Sequence, residues 1–282
     1  MIHSIYINEI RAQIKQWKQA GQSVALVPTM GNLHEGHLAL IKRGRELADR
    51  VVTSIFVNPL QFNEGTDFDA YPRTFEQDIH KLEQAGNAAL FAPAVDDVYP
   101  QGQQQATKVI VPELGDILEG EHRPGHFVGV ATVVNKLFNI VQPDVACFGE
   151  KDFQQLMLIR RMVNELDMPV TIEAVSTFRE ADGLAMSSRN NRLDKQQRSI
   201  ANALYQGLCS VKRALEKGRK DYIQLESEAA EFIQQQGLSP EYIAIRRSYD
   251  LDLPLEGDKE LVILAAARLG EVRLIDNIPL SL

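Results

Sequence analysis

The chain of 282 residues predicts an α/β fold: a doubly wound, Rossmann-like parallel sheet with a second, smaller α+β domain. Two observations predict it. Short apolar runs alternate with helical periodicity through the first two-thirds of the chain, and the rhythm changes after about residue 176 to helices followed by closely spaced strands. The division expected is therefore residues 1–176 as a Rossmann-like domain and 177–282 as the smaller one.

The strands expected of the first domain are 24–27, 51–57, 88–92, 107–111, 145–148 and 170–175, each a β-branched or apolar run of buried-strand length. Helical segments at 38–48, 75–85, 130–141 and 153–166 separate most of them. That order favours parallel pairing with ligands at the carboxyl ends of the strands. His34, His37, Asn58, Gln61, Glu150 and Lys151 all follow such ends. In the second domain, helices at 195–217 and 222–236 precede strands at 242–246, 261–267 and 272–276, whose short connections suggest antiparallel pairing.

A net charge of −8 argues against general nucleic-acid binding, which wants a basic face. No stretch approaches the ~18 uninterrupted apolar residues of a membrane span, and residues 1–20 lack a signal-peptide apolar block. A cytoplasmic location is expected, with Cys147 and Cys209 as reduced, structural thiols.

Residues 28–37 read Pro-Thr-Met-Gly-Asn-Leu-His-Glu-Gly-His and put two imidazoles three residues apart where a strand turns into a helix. A helix start offers unpaired N–H groups and partial positive charge, so polyphosphate is held there without a dedicated lysine. The histidines can donate to phosphate oxygens as charge builds on them, while Gly31 and Gly36 allow tight turning and close backbone approach. Two blander readings compete. A single histidine here would usually be a satisfied polar residue, and His-x-x-His can also place two zinc ligands on one helical face. The spacing is not His-Glu-x-x-His, and neither cysteine is nearby in sequence.

Residues 183–190, Gly-Leu-Ala-Met-Ser-Ser-Arg-Asn, follow Arg179 and supply two hydroxyls and a guanidinium fork suited to a phosphate chain. With the His-x-x-His helix start, this loop resembles the signature motifs of the nucleotidyltransferase superfamily that includes class I aminoacyl-tRNA synthetases. In that superfamily the two motifs flank the triphosphate of ATP.

Further stretches narrow the resemblance: Phe56-Val57-Asn58-Pro59-Leu60-Gln61-Phe62, Tyr71-Pro72-Arg73-Thr74, Arg123-Pro124-Gly125-His126-Phe127, and Gly149-Glu150-Lys151-Asp152-Phe153-Gln154-Gln155. In this order, from about residue 20 to 195, the chain resembles the pantothenate synthetase family, ATP-dependent ligases of pantoate and β-alanine. The resemblance implies a pantoyl-adenylate intermediate, release of AMP and pyrophosphate, and a homodimer. It implies ATP binding by Met30, Gly31, Asn32, Leu33, His34, Glu35, Gly36 and His37, by Gly149, Glu150, Lys151 and Asp152, and by Phe178, Met186, Ser187, Ser188 and Arg189. His37, His34 and Lys151 take the catalytic roles; Gln61, Gln155 and Met30 hold pantoate, and Arg123 receives the β-alanine carboxylate. Magnesium is implied by ATP and rides on its phosphates. Glu76 and Asp78 are the nearest carboxylates after the Tyr-Pro-Arg-Thr stretch, and neither is assigned as a metal ligand. Residues 177–282 would then be a lid domain carrying the Met-Ser-Ser-Arg loop. Two alternatives stay open: another adenylyltransferase of the superfamily, and a nucleotide-sensing module without turnover.

Overall fold

Val24, Ala25, Leu26 and Val27 are all fully buried, so the run that precedes the two histidines is a central strand with both faces covered. In the computed structural model, which describes residues 1–62, 68 and 71–282, this strand is β2 (Val24–Thr29). The others of its sheet are β1 (Ile2–Ser4), β3 (Arg50–Ile55), β4 (Ala89–Phe91), β5 (Val145–Gly149) and β6 (Thr171–Val175). All pairs are parallel, in the order β1-β4-β3-β2-β5-β6, and Ala25 pairs with both Val51 and Val145.

Side chains alternate across β2 with period two. Ala25 and Val27 pack with Val51, Leu90 and Cys147 against Leu40 and Ile41 of helix α2 (Glu35–Leu47) and Leu82 of helix α3 (Phe75–Gln84). Val24 and Leu26 face the other way, where α1 (Ile7–Gln19) and α4 (His126–Val141) contact each other and β2. The chain runs from β2 to β3 and β4 on one side and later places β5 and β6 on the other. The order therefore reverses between β2 and β5, the place where doubly wound sheets open a crevice. The loops after Thr29 and Gly149 leave from that point.

Contacts group Met1–Glu150 with Leu158–Ser176 as one unit, and Lys151–Met157 with Thr177–Leu282 as a second. The second unit therefore takes the first residues of helix α5 (Phe153–Glu165), where the sequence reading divides the chain only after residue 176. It also holds α6 (Lys195–Ile200), α7 (Ala203–Glu216), α8 (Tyr222–Gln235), and the antiparallel strands β7 (Ser239–Arg247), β8 (Glu260–Leu269) and β9 (Val272–Ser281) in sequential order. Leu204, Leu208, Val211, Ile233, Ile245, Ile263 and Leu274 build its core.

Three expectations are corrected. Segment 107–111 is not a strand: Ile110 is 65% exposed, and the Val109 amide donates to Thr132 Oγ1 at 3.0 Å instead of to a ladder. The helix expected over 195–217 divides at Ala201 and Asn202, the second a residue whose side chain competes for backbone partners. The edge strand β1 and the helix α1, which buries Ile10, Ile14 and Trp17, precede the first element expected.

Candidate active site

In the first unit, the site begins where β2 ends. Thr29 Oγ1 donates to the Ser54 carbonyl (2.7 Å) and accepts from the Gly31 amide (3.2 Å). Gly31 has φ +86°, and a Cβ there would stand 3.2 Å from an Ile55 methyl and 3.3 Å from the Asp78 carboxylate, so both conformation and space call for glycine. Asp78 is 1% exposed. Its oxygens accept from the Asn32 and Leu33 amides, each at 2.8 Å, and from Thr74 Oγ1 at 3.2 Å. Lys81 Nζ donates to the Leu33 carbonyl at 2.6 Å. Helix α3 thus fixes the turn that carries Met30, Gly31, Asn32 and Leu33.

His34 is the N-cap of α2, followed by exposed Glu35 and half-buried Gly36 and His37. The His37 amide donates to the His34 carbonyl (2.8 Å), and the His34 amide donates to His37 Nδ1 (3.2 Å). The rings lie 4.1 Å apart, tilted by 40°. Because His37 Nδ1 accepts a backbone N–H, the neutral ring carries its proton on Nε2 and presents that nitrogen as a donor.

Gln61 closes a short 3-10 turn (Pro59–Gln61) capped by Asn58. Asn58, 1% exposed, donates through Nδ2 to Gln61 Oε1 and to the Gly129 carbonyl, both at 3.1 Å. Its Oδ1 accepts from the Tyr99 hydroxyl at 2.8 Å. Burial pushes the Tyr99 phenol up, so it stays a protonated donor at working pH. Gln61 Nε2 lies 3.1 Å from Met30 Sδ. A Cβ on Gly129 would meet the Leu60 carbonyl at 2.3 Å, so glycine lets α4 approach this turn. His126 Nδ1 donates to the Gln61 carbonyl (2.8 Å), and Arg123 donates to His126 Nε2 (3.1 Å) and to the same carbonyl (3.3 Å). Gly149, at the end of β5, has open space where a Cβ would stand.

The second unit holds the remaining candidates. The half-buried Lys151, followed by exposed Asp152, accepts a bond at its carbonyl from Asn277 Nδ2 at 2.8 Å. Next to Asn277, buried Asp276 takes a two-pronged contact from Arg179 at 2.7 and 2.9 Å. Burial pushes the Asp276 carboxyl up, opposed by Arg179. The Arg179 guanidinium also stacks 4.0 Å above the Tyr205 ring. The flanking residues form a narrow turn: the Met186 amide donates to the Phe178 carbonyl (2.9 Å) and the Glu180 amide to the Leu184 carbonyl (2.8 Å). Phe178 is exposed. Ser187 Oγ accepts from the Arg189 amide (3.2 Å) at the head of a 3-10 turn, Ser188 is buried, and Arg189 is half-buried. Gln155 is half-buried near the start of α5.

A family model described as pantoate–β-alanine ligase matches residues 3–279. The chain belongs to that family. It is 57% identical over 273 residues to a pantothenate synthetase of Thioalkalivibrio sulfidiphilus, covering 97% of this chain and 96% of that protein. Its fold matches the pantothenate synthetase of Thermus thermophilus with a TM-score of 0.91, 43% identity and 99% coverage of both chains. It also matches the pantoate–β-alanine ligase of Francisella tularensis, solved with a β,γ-ATP compound and β-alanine, with a TM-score of 0.84, 37% identity, and 99% and 97% coverage. The activity of the chain is the joining of pantoate to β-alanine in pantothenate biosynthesis.

Several residues that hold the candidates of each unit in place carry little sequence signal. Tyr99 and Asp78 in the first unit, and Arg179, Asp276 and Asn277 in the second, act through long-range contacts that no local pattern announces. Asn58, by contrast, stands in an Asn-Pro turn start, and His126 in the quoted Arg-Pro-Gly-His-Phe stretch.

Proposed function

We propose that this ligase works in two steps on ATP. The pantoate carboxylate attacks the α-phosphorus, forming the acyl C–O–P bond of pantoyl adenylate as the bond from the α-phosphorus to its bridging oxygen breaks and pyrophosphate leaves. The β-alanine amine then attacks the acyl carbon, the amide forms, the amine gives up a proton, and AMP departs. No protein nucleophile is required, so the chain's contribution is positioning and charge stabilisation.

The observation that carries this reading is the paired histidine start of α2, with His37 Nε2 left as a donor by the bond at Nδ1. His34 and His37 are assigned to the phosphates, with the Met30–Leu33 turn and the first-turn amides of Glu35 and Gly36. Lys151 is assigned to the α-phosphate, where a compact charge meets the most developing charge, and Ser187, Ser188 and Arg189 to the β and γ phosphates. Gly149, Glu150, Asp152, Phe178 and Met186 would hold the adenosine end. Gln61 and Gln155 bond the pantoate hydroxyls and carboxylate, Met30 packs on its methyls, and Arg123 takes the β-alanine carboxylate. Residues 1–176 thus bind nucleotide and pantoate, and 177–282 supply the Met-Ser-Ser-Arg loop.

Among the described residues there is no group of three His, Cys, Asp or Glu able to hold a metal. The Asp78 oxygens are committed to the Asn32 and Leu33 amides, and Glu76 is exposed. Magnesium is assigned to the nucleotide's own phosphates. A cytoplasmic homodimer completes the proposal; no helix among the described residues is long and apolar enough to cross a membrane.

Incubation with ATP, Mg²⁺, pantoate and β-alanine, followed by mass analysis, tests the reading. Pantothenate, AMP and pyrophosphate in equal amounts are expected. ADP and phosphate, or an adenylylated product that persists when β-alanine is added, would overturn it and favour a different transferase.

A further inference from the structure

Gln61 is an amide, and an amide can face its ligand with a donor or, rotated by a half-turn, with an acceptor. Something must choose between them. Gln61 Oε1 accepts from Asn58 Nδ2 at 3.1 Å, which leaves Nε2 turned toward Met30. The Asn58 amide is itself fixed by its surroundings. The Gly129 carbonyl can only accept and so requires Nδ2 on its side; the Tyr99 hydroxyl donates to Oδ1 on the other. The second donor to Oδ1, the Leu60 amide, is distant at 3.4 Å, so the 2.8 Å bond from Tyr99 is the strong one. Tyr99 and Asn58 are 2% and 1% exposed, so water does not compete at this oxygen.

We propose that Tyr99 is a positioning residue for the pantoate site: together with the Gly129 carbonyl, its hydroxyl holds the Asn58 amide in place, and that amide sets the Gln61 amide with its NH₂ group facing the substrate. The proposal rests on the assignment of Gln61 to pantoate. Pantoate brings a carboxylate and two hydroxyls. A Gln61 rotated by a half-turn would set its carbonyl oxygen against the carboxylate, while the relay keeps two N–H groups on that side. Tyr99 touches no substrate and acts only through Asn58.

Tyr99→Phe removes one oxygen and keeps the ring, which packs 6.2 Å from Phe56, centroid to centroid, with Lys136 Nζ at 5.6 Å. Loss of one buried neutral hydrogen bond corresponds to about a tenfold change. The KM for pantoate is therefore expected to rise about tenfold, while kcat, the KM for ATP and the circular dichroism stay near those of the wild type. In the pair with Gln61→Ala, the Tyr99→Phe change should add nothing further, because the group it orients is gone. Equal weakening of pantoate and ATP, or full additivity with Gln61→Ala, would overturn the relay. Gln61→Ala alone separates the two levels: if it leaves the pantoate KM unchanged, the assignment of Gln61 fails. If it raises that KM while Tyr99→Phe does not, the assignment stands and the relay falls.

Discussion

The turn that carries Gln61 in the first unit and the candidate loops of the second are held in place by opposite means. Around Gln61 the buried chain Tyr99–Asn58–Gln61–His126 is made of hydroxyl, amide, carbonyl and imidazole groups, with Arg123 at its edge. Around Lys151 and the 178–190 segment, Arg179–Asp276 and Arg198–Asp182–Glu180 do the holding with full charges. Neutral groups select one orientation of an amide at little desolvation cost, which suits the hydroxy acid proposed to bind there. Charges hold more strongly when paired, and leave a larger penalty when one member is removed.

The largest effect is expected from breaking the ionic side. Arg179→Ala would leave the Asp276 carboxylate buried without its guanidinium, a loss of roughly 3–5 kcal/mol of stability. Urea unfolding should show this, with Arg179→Ala/Asp276→Asn recovering a substantial part; a midpoint unchanged from the wild type would mean the pair holds nothing.

Next come His37→Ala and Lys151→Ala, each expected to slow adenylate formation by ~10²–10³ with the fold intact, as for donors facing charge that grows in the transition state. Pyrophosphate release during a single turnover checks it. Near-normal rates would remove the role assigned to that residue.

Elsewhere in the first unit, Asp78→Ala strips the Asn32 and Leu33 amides of their acceptor and should cost ~1–3 kcal/mol, read by thermal unfolding, with weaker ATP binding by calorimetry. Weakened folding with unchanged ATP affinity would separate the turn from the nucleotide.

The smallest effect concerns acid. Arg198 holds the Asp182 carboxyl below its ordinary 3.8, so the folded value lies under the unfolded one. Its contribution is present above about pH 4 and disappears as pH falls through the folded value. The difference in urea midpoint between wild type and Asp182→Asn should shrink between about pH 6 and pH 3; a difference that grows on acidification would reverse the sign.

The parallel sheet was legible because β2, β3 and β5 are buried on both faces and so read as unbroken apolar runs. The edge strand β1, only three residues long, is not. Segment 107–111 carries the β-branched residues of a strand but pairs with no strand among the described residues, a tertiary fact absent from local pattern. Among the candidate residues, the histidine pair and the Ser187-Ser188-Arg189 loop stand out in the sequence because the chemistry of each is contiguous. In the sequence Asp78 is only one of two carboxylates after the Tyr-Pro-Arg-Thr stretch; its contact with amides 45 and 46 residues earlier shows what it holds. Tyr99 is similar, 41 residues from the Asn58 it orients.

The exchange of labelled pyrophosphate into ATP, with pantoate present and β-alanine absent, tests most directly whether ATP activates pantoate before any amine enters, at the helix start carrying His34 and His37. Exchange is expected at a rate comparable with turnover, and largely lost in His37→Ala. Exchange that appears only after β-alanine is added would contradict the two-step reaction and the role given to that helix start.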